Sequence, residues 1–274
     1  MKQLELFPQN SKNKTNEREF IKIASWNVNS IRARKEQVVD WLKRESPDIA
    51  CIQETKVKDE EFPKQDFVSM GYNVEFYGEA KYNGVAILSK YRIEDVVRGF
   101  DGSPDVSARV ISCSILGLRV YNIYAPNAKS LKDYSLTQKI RWYNSFIEHI
   151  KRNHRNSEPL ILCGDFNVVS KDHETFDSKH WLCSTMVDNN SRSAFSNLLN
   201  LGFIDIMRSH YGKDSLYTWW DYGDGLMAER GMRLDYFLAT PTLINRINNS
   251  RIDRLTREKQ KSSDHAPIIC ELKL

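Results

Sequence analysis

The chain has 274 residues, of which 41% are hydrophobic, and 40 basic residues nearly balance 36 acidic ones to give a formal net charge of +4. This composition supports a large core, excludes a membrane span and a signal peptide, and permits nucleic acid as a partner without requiring it. Five cysteines without a C-x-x-C spacing argue against a disulfide framework, so we expect a reduced, cytoplasmic protein with no membrane partner.

The order of the predicted elements indicates a flexible arm followed by one domain. Residues 1–19 are polar and predict the arm, whereas residues 20–274 predict a single catalytic domain. The first predicted series is strand 20–27, helix 31–45, strand 49–54 and short strands near 73–78, 84–89, 106–115 and 118–125. An amphipathic helix follows, because Leu136, Ile140, Tyr143, Ile147 and Ile150 recur at spacings of four and three.

A second series begins after the break at 156–159. It has strand 160–165, a polar loop at 170–190, a helix at about 191–200, and strands near 216–220, 233–239, 248–255 and 266–273. Each half is rich in strands and has flanking helices. The pattern therefore predicts two packed sheets in one α/β sandwich.

Four short polar clusters carry the chemistry that the sequence suggests. Two of them follow apolar runs that are typical of buried strands, because Glu54 follows residues 49–52 and Asp165 follows residues 160–163. Strands of one sheet end side by side, so we expect these acids to converge on one pocket. The four clusters are Gln53–Lys56, Gly164–Asn167, Arg233–Tyr236 and Ser263–Pro267.

The residue types in these clusters favour a metal-assisted reaction on phosphate. Three or four carboxylates, two asparagines and one histidine make an oxygen-rich site for a hard cation such as Mg²⁺. Phosphodiester hydrolysis needs such a site, because it requires an ion on the phosphate, a base for water and a donor for the developing charge. Each cluster alone is also compatible with a simple turn or helix cap.

Taken together, the clusters and their flanking motifs resemble the exonuclease III and class II AP endonuclease family, within the endonuclease/exonuclease/phosphatase superfamily that includes pancreatic DNase. The likeness runs from about Lys22 to the C-terminus. It rests on Ser25–Ala33, Gln53–Lys56, Tyr82–Ser89, Tyr124–Ala128, Gly164–Asn167, Trp219–Tyr222, Arg233–Leu238 and Ser263–Pro267. Thr55-Lys56, the Tyr-Asn-Gly-Val segment and the Trp-Trp-Asp-Tyr loop narrow the resemblance to the DNA-repair branch.

The resemblance implies a DNase I-like fold, which is a four-layer α/β sandwich with two packed mixed β-sheets flanked by helices. It implies Mg²⁺-dependent hydrolysis of duplex DNA 5′ to abasic sites in base excision repair, with Mn²⁺ as a substitute ion. It also implies 3′–5′ exonuclease and 3′-end-cleaning activity, and a monomer.

Roles for individual residues follow from the same resemblance. Glu54 would hold the metal, with Asn27, Asn29 and Asp264 around it, and with Asp165 and Asn167 close by. Asp165 would align or deprotonate the attacking water, which Asn167 would hold against a phosphate oxygen. His265, oriented by Asp235, and Tyr124 would donate to the phosphate. For Asn27 and Tyr124 the alternative is hydrogen bonding within the core.

Contacts with DNA are implied for two further groups of residues. Arg32, Tyr82, Asn127 and Lys129 would grip the duplex backbone. Trp219, Trp220 and Met232 would form an apolar slot for an extrahelical sugar that lacks its base, although Trp219 alone could be a core residue. The chain departs from mammalian members at Lys129-Ser130 and Gly223, where they carry an arginine and a methionine that enter the duplex.

The arm carries a separate resemblance. Residues Gln3, Leu4, Leu6 and Phe7 match the Q-L-x-L-F peptide by which bacterial repair and replication proteins bind the sliding clamp. In this interpretation Leu6 and Phe7 would occupy an apolar groove and Gln3 would be a polar anchor. The alternative is that these side chains pack on the domain itself or have no partner.

Two other functions stay open from the sequence. One is a different phosphoesterase of the superfamily, acting on inositol phosphate, phospholipid or poly(A). The other is a catalytically inactive DNA-binding protein. The intact set of acids and His265 argues against the inactive protein, since binding alone gives no reason to crowd carboxylates near phosphate.

Overall fold

The computed structural model describes residues 19–132, 134–177, 181 and 184–273. Its strands are β1 (Phe20–Asn27), β2 (Ile49–Gln53), β3 (Asn73–Tyr77), β4 (Val85–Ser89), β5 (Glu94–Arg98), β6 (Val110–Ile115), β7 (Leu118–Tyr124), β8 (Leu160–Asp165), β9 (Ile204–Asp205), β10 (Trp219–Trp220), β11 (Gly231–Met232), β12 (Asp235–Ala239), β13 (Ile247–Ile252) and β14 (Ile268–Lys273). Its α-helices are α1 (Ile31–Glu45), α2 (Lys64–Val68), α3 (Tyr134–Asn153), α4 (Asn189–Leu199), α5 (Ile206–Tyr211), α6 (Pro241–Ile244) and α7 (Arg254–Arg257).

These strands form two six-stranded sheets and a small ribbon. The first sheet has the order β13-β14-β1-β2-β4-β3, and the second has the order β5-β6-β7-β8-β12-β9. Each sheet contains one parallel pair, β1 with β2 and β7 with β8, and its other pairs are antiparallel. Both sheets are therefore mixed, as predicted. Strands β10 and β11 pair with each other in the ribbon, and isolated bridges also join Trp219 to His265 and Met232 to Thr175.

Three apolar clusters define the layers. The inner faces of both sheets meet in one cluster, to which Ile23 and Cys270 contribute from the first sheet and Ile161 and Phe237 from the second. A second cluster packs α1 against the outer face of the first sheet. A third packs α3 and α4 against the outer face of the second sheet. The result is the predicted four-layer α/β sandwich.

Several boundaries differ from the sequence prediction for physical reasons. Strands 20–27 and 160–165 and helix 31–45 lie where predicted. The segment predicted as strand 216–220 reduces to the two residues of β10, and the strand predicted at 248–255 ends at Ile252 and is followed by α7. Strand β5 was not predicted, because it lies at a sheet edge and its mostly exposed side chains give no apolar run.

The cysteines agree with a reduced protein. The four that the structure describes, Cys51, Cys113, Cys163 and Cys270, are buried and free, and each lies in a strand. None of the described helices combines the length and the apolarity that a membrane span requires. The arm residues Gln3, Leu4, Leu6 and Phe7 lie outside the described residues.

Candidate active site

The polar clusters meet at one edge of the sandwich, but they come from both sheets. Asn27 ends β1 and Glu54 follows β2 in the first sheet, whereas Asp165 ends β8 and pairs with Asp235, the first residue of β12, in the second. The prediction that the acids end strands of one sheet was therefore wrong for Glu54 and Asp165. They converge because the two sheets stack with the ends of β1 and β8 together.

The side chain of Asn27 joins the two sheets at this edge. It is fully buried, and its amide nitrogen donates to Glu54 Oε1 at 2.9 Å and to Asp165 Oδ2 at 2.9 Å. The same nitrogen lies 3.4 Å from Nε2 of His265. A primary amide has two hydrogens, and both are used here to hold two carboxylates beside each other. This arrangement fixes the spacing between the first and second sheets where the site forms.

His265 lies between two carboxylates. Its Nδ1 is 2.8 Å from Asp235 Oδ2, and its Nε2 is 3.6 Å from Asp165 Oδ2. Burial disfavours the charged imidazole, but the nearby carboxylates of Asp235 and Asp165 outweigh burial and raise the pKa of His265 above its usual value. Since Asp235 holds Nδ1, the ring presents Nε2 to Asp165 and the site, as a proton donor would.

The carboxyl of Asp165 takes up a proton more easily than the carboxyl of an ordinary surface aspartate. Its side chain is 1% exposed, and burial raises the pKa of this carboxyl far above its usual range, with Asp235 and Glu54 acting in the same direction. His265 and the Asn27 donor act against that rise. A carboxyl whose pKa is raised toward neutrality is suited to accept a proton from water.

Tyr124 and Asn167 complete this side of the site. Burial, and then the charges of Glu54 and Asp165, raise the pKa of Tyr124, so that its hydroxyl keeps its proton and can donate. The guanidinium of Arg109 lies 5.2 Å from the centre of the Tyr124 ring. Asn167 has φ 49°, and its backbone N–H donates to Asp165 Oδ1 at 2.8 Å, which fixes the carboxylate orientation.

A hard cation fits the more open side of the site. Glu54 Oε2 and Asn29 Oδ1 both approach the ammonium of Lys56, at 2.6 and 2.5 Å, so two oxygens already converge on one positive charge. The Glu54 side chain is 15% exposed, whereas those of Asp165 and Asp235 are 1% exposed, so an ion from solvent meets Glu54 first. The donors are carboxylate and amide oxygens, as Mg²⁺ prefers.

A second group of possible ligands is more enclosed. Single ligand atoms of Asp165, Asp235 and His265 lie within 4.8 Å of one another, and all three residues are buried. Their atoms already hydrogen-bond or pair with each other, as the 2.8 Å contact between His265 and Asp235 shows. An ion here would have to break these contacts, whereas the oxygens of Glu54 and Asn29 could hold one by displacing Lys56 alone.

Asp264 connects the metal side to the aromatic side of the site. Its Oδ1 accepts from Asn29 Nδ2 at 3.0 Å, and its Oδ2 accepts from Trp219 Nε1 at 2.9 Å. Burial alone would raise the pKa of Asp264, but the positive charge of His265 and the Trp219 donor hold it below its usual value. Asp264 therefore stays ionised beside the proposed ion.

The proposed slot forms only in part. Trp219 and Met232 are paired across the ribbon, and they pack with Trp181 and a small apolar cluster beside Asp264. Trp220 points to the opposite face of the ribbon and lines a separate cavity of about 450 Å³ with Tyr217. Successive strand residues face opposite sides, so adjacent tryptophans cannot share one slot. The structure does not bring Trp220 to Trp219 and Met232.

The four residues predicted to grip DNA surround the same edge. Tyr82 is 68% exposed and precedes β4, whose first residue pairs with the end of β2. Arg32 lies in the first turn of α1 and pairs with Glu61 at 3.3 Å. Asn127 and Lys129 are exposed on the loop that follows β7.

Two residues near the site were missed as functional candidates. Lys56 stands in the Gln53–Lys56 cluster, but its contact with Glu54 and Asn29 was not foreseen. Lys139 is fully buried and donates to the backbone carbonyl of Asn167. Its position belongs to the apolar stripe of α3, which predicts burial, but a lysine there was not noticed. A lysine three residues after Leu136 and four before Tyr143 is the signal that could have found it.

The fold and the site together define a metal-dependent phosphoesterase with a carboxylate–histidine centre. The model of the Endonuclease/Exonuclease/phosphatase family matches residues 24–265, which is most of the chain. The chain is 30% identical over 269 residues to an exodeoxyribonuclease III of Haemophilus influenzae, covering 92% of this chain and 100% of that protein. It is also 30% identical to an exodeoxyribonuclease of Bacillus subtilis, covering 90% of this chain and 98% of that one.

Solved structures agree with the sequence relatives. An AP endonuclease from Archaeoglobus fulgidus superposes with a TM-score of 0.90 at 34% identity, covering 93% of this chain and 100% of that one. A 3′ phosphatase from Neisseria, solved with a product DNA hairpin, gives a TM-score of 0.89 at 33% identity, with the same coverage. The chain belongs to the endonuclease/exonuclease/phosphatase family of metal-dependent nucleases, and its resemblance to the exonuclease III and AP endonuclease branch is confirmed.

Proposed function

We propose that this enzyme hydrolyses the DNA backbone 5′ to abasic sites in duplex DNA, and that it also trims and cleans 3′ ends. The observation that carries the proposal is the Asn27 bridge, which holds Glu54 and Asp165 side by side with His265 facing them. The relatives named as exodeoxyribonuclease III and as AP endonuclease support the substrate class. Base excision repair is the process that such an activity would serve.

The residues of the site supply the steps of the reaction. Asp165 accepts a proton from water as the water oxygen bonds to phosphorus and the bond from phosphorus to the leaving backbone oxygen breaks, because burial has raised the pKa of Asp165 and the Asn167 N–H fixes its orientation. The leaving oxygen takes up a proton from solvent. His265 donates through Nε2 to the phosphate, and Asp235 holds the ring in place for that donation. The Tyr124 hydroxyl adds a second donor, which stabilises the charge that develops on the phosphate oxygens.

We assign the metal to Glu54, Asn29 and Asp264, with Asn27 orienting Glu54 through its amide. A divalent ion held there would supply Lewis-acid polarisation of the phosphate and would neutralise charge. We propose Mg²⁺ as the physiological ion because the donors are hard oxygens, and Mn²⁺ as a substitute because it accepts similar ligands. Lys56, which now contacts Glu54 and Asn29, would have to move aside when an ion binds.

DNA contacts extend the proposal beyond the reaction centre. Tyr82, Asn127 and Lys129 lie on loops and Arg32 lies in the first turn of α1, at the same edge as the catalytic groups, where they could reach backbone phosphates on both sides of the cut. Trp219, which is partly exposed, would provide the apolar wall for a sugar without a base, and the fully buried Met232 would support it from behind. Such a wall suits an abasic sugar and offers poor room for an intact nucleotide, which would make the incision selective.

A duplex carrying one tetrahydrofuran abasic analogue tests this proposal. We expect incision 5′ to the analogue with Mg²⁺ or Mn²⁺, none with EDTA, and recovery after Mg²⁺ is restored. Binding without incision in Mg²⁺ would identify an inactive DNA-binding protein. An enzyme that leaves the duplex intact but hydrolyses inositol phosphate, phospholipid or poly(A) would instead belong to another branch.

We also propose that the arm binds the bacterial sliding clamp through Gln3, Leu4, Leu6 and Phe7, that the enzyme is a monomer, and that it acts in the cytoplasm on chromosomal DNA. The support is the peptide pattern and the position of the arm. Strand β1 runs from Phe20 to Asn27, which is at the site. At about 3.3 Å per residue, its start at Phe20, where the arm joins the domain, lies about 23 Å from Asn27. A tether attached there leaves the catalytic edge free while raising the local concentration of enzyme.

A further inference from the structure

A buried lysine lies directly beneath the catalytic loop. Lys139 is 0% exposed, on the face of α3 that otherwise packs Trp142, Tyr143 and Phe146 into the core. Its ammonium donates to the backbone carbonyl of Asn167 at 2.7 Å and to that of Thr185 at 3.1 Å. A buried ammonium is costly, and burial lowers the pKa of Lys139, whereas the charges of Asp165 and Asp188 act against that fall. The two carbonyls accept the hydrogens that this group would otherwise leave unsatisfied.

The first carbonyl belongs to a turn that the reaction needs. Asn167 adopts a left-handed conformation with φ 49°, which asparagine adopts more readily than most residues other than glycine. This turn places its backbone N–H on Asp165 Oδ1 and its side-chain amide on the carbonyl of Ala125, both at 2.8 Å. The Lys139 bond holds the remaining polar group of the turn, and so opposes its relaxation to an ordinary conformation.

The second carbonyl leads to the DNA-facing loop. The Thr185 hydroxyl donates to the carbonyl of Ala128 at 2.8 Å and approaches Asn127 Oδ1 at 3.3 Å. One ammonium therefore links the turn at Asn167 to the segment that holds Asn127. The helix that carries it is anchored by large apolar side chains, which makes Lys139 a rigid support.

We propose that Lys139 is a positioning residue, which fixes the Asn167 turn for catalysis and ties it to the loop that carries Asn127. It is fully buried, so it does not reach DNA, and its two hydrogen bonds are to backbone carbonyls. The expected effect on kcat rests on the proposed function. The expected effect on the backbone at residues 167 and 185 does not depend on it.

Lys139→Met removes the donors and keeps the length of the side chain. On the abasic duplex we expect kcat to fall about tenfold, which corresponds to about 1.4 kcal/mol in the barrier. The matched control is Lys151→Met on the same helix, where the lysine is half exposed and pairs with Glu148. That control should stay within about twofold of the wild-type kcat. Equal kcat in both variants would overturn the proposal.

A mutant cycle separates positioning from general loss of structure. In an Asn167→Ala background the Lys139→Met change should lower kcat by less than it does in the wild-type background, because the side chain that the turn presents is gone although its backbone carbonyl and N–H remain. Full additivity would overturn the proposal. Thr185→Val keeps the carbonyl that Lys139 reaches but loses the hydroxyl, so it should raise KM with kcat nearly unchanged. A fall in kcat with unchanged KM would show that Thr185 has another role and would overturn the link to Asn127.

Hydrogen–deuterium exchange tests the same idea without turnover. In Lys139→Met we expect faster exchange in peptides covering residues 165–169 and 185–187, and unchanged exchange in strands β1 and β2. Wild-type exchange in both segments would overturn the proposal even if the enzyme does not cut DNA. If Lys139→Met does not fold, Lys139→Gln replaces it, because the shorter side chain places its single amide nitrogen out of reach of both carbonyls at once. A native Lys139→Gln with the wild-type kcat and wild-type exchange would also overturn it.

Discussion

Single residues in this site are held by hydrogen bonds that leave little choice of orientation. Asn27 uses both amide hydrogens on carboxylates, and Asp235 fixes one nitrogen of His265 so that the other faces Asp165. Because each partner is buried, these bonds are not shared with bulk water, and losing one leaves a polar group unsatisfied. Changes at single positions should therefore disturb the geometry of the reacting groups, and each also carries the stability cost of an unsatisfied buried group.

Asp165→Asn should remove the proposed base while keeping the shape of the side chain. We expect kcat on abasic duplex to fall at least about a hundredfold, which is the lower end of what a general base contributes. Binding of DNA should be unchanged or tighter, since a negative charge near phosphate is lost. Gel-shift and single-turnover assays measure both. Asp101→Asn, at an exposed loop position, is the control, and cutting by Asp165→Asn within tenfold of it would exclude Asp165 as the base.

His265→Ala and Asp235→Ala should each impair turnover severely, and the double variant should be little worse than the more impaired single variant. The reason is the 2.8 Å contact between them, through which Asp235 orients the ring and raises its pKa. The measurement is single-turnover incision of the three variants at saturating enzyme. Losses that add in the double variant would mean that the two side chains act separately.

At the scale of elements, the ribbon of β10 and β11 places two adjacent tryptophans on opposite faces. Trp219 serves the site, and Trp220 serves the packing of the protein. Trp219 faces the site, and its indole donates to Asp264, whereas Trp220 is 2% exposed on the other face. The guanidinium of Arg254 lies 5.5 Å from the Trp220 ring. The alternation of side chains along a strand makes this separation unavoidable. The two positions should thus respond differently to the same substitution.

Trp219→Ala should lower kcat/KM on abasic duplex about tenfold or more, with binding of intact duplex within about twofold of the wild type. Trp220→Ala should instead cost about 3–5 kcal/mol of stability, because it removes a large buried ring. Thermal unfolding and incision at low temperature distinguish them. Trp219→Phe keeps an apolar wall but loses the donor to Asp264, so it separates the two contributions. Equal loss of binding to intact and abasic duplex in Trp219→Ala would place Trp219 on the general DNA surface.

At the scale of the whole molecule, stacking of the two sheets creates the site and determines where the arm is attached. The carboxyl ends of β1 and β8 meet at one edge, and β1 begins at the other. Parts of the chain on opposite sides of the domain can therefore be changed independently.

Deleting residues 1–18 should leave incision of a short abasic duplex unchanged and should abolish binding to the sliding clamp. A labelled peptide of residues 1–12 should bind a bacterial clamp with roughly micromolar affinity through its apolar anchors. The same peptide with Leu6→Ala and Phe7→Ala is the matched control and should not bind. Fluorescence anisotropy measures both peptides. Absence of binding by the unchanged peptide, with incision intact after the deletion, would show that the arm does not serve this purpose.

Much of the architecture was accessible from local patterns. The apolar runs at 20–27 and 160–165 and the stripe of α3 report burial directly, since period and length distinguish buried strands from amphipathic helices. The edge strand β5 escaped prediction, because an exposed edge needs no apolar face. The prediction of a strand at 216–220 was too long, because aromatic residues favour strands and only Trp219 and Trp220 form one.

The sequence by itself determined the chemistry of this protein, because the residue types in its polar clusters and their positions after strands limit what they can do. Only the tertiary structure decided how they are combined. Glu54 and Asp165 come from different sheets, Trp220 faces away from Trp219, and Lys139 supports Asn167 from a helix 28 residues away in the chain. Contacts of this kind depend on how layers stack and on which face a side chain takes, and a one-dimensional pattern does not contain the distance between two sheets.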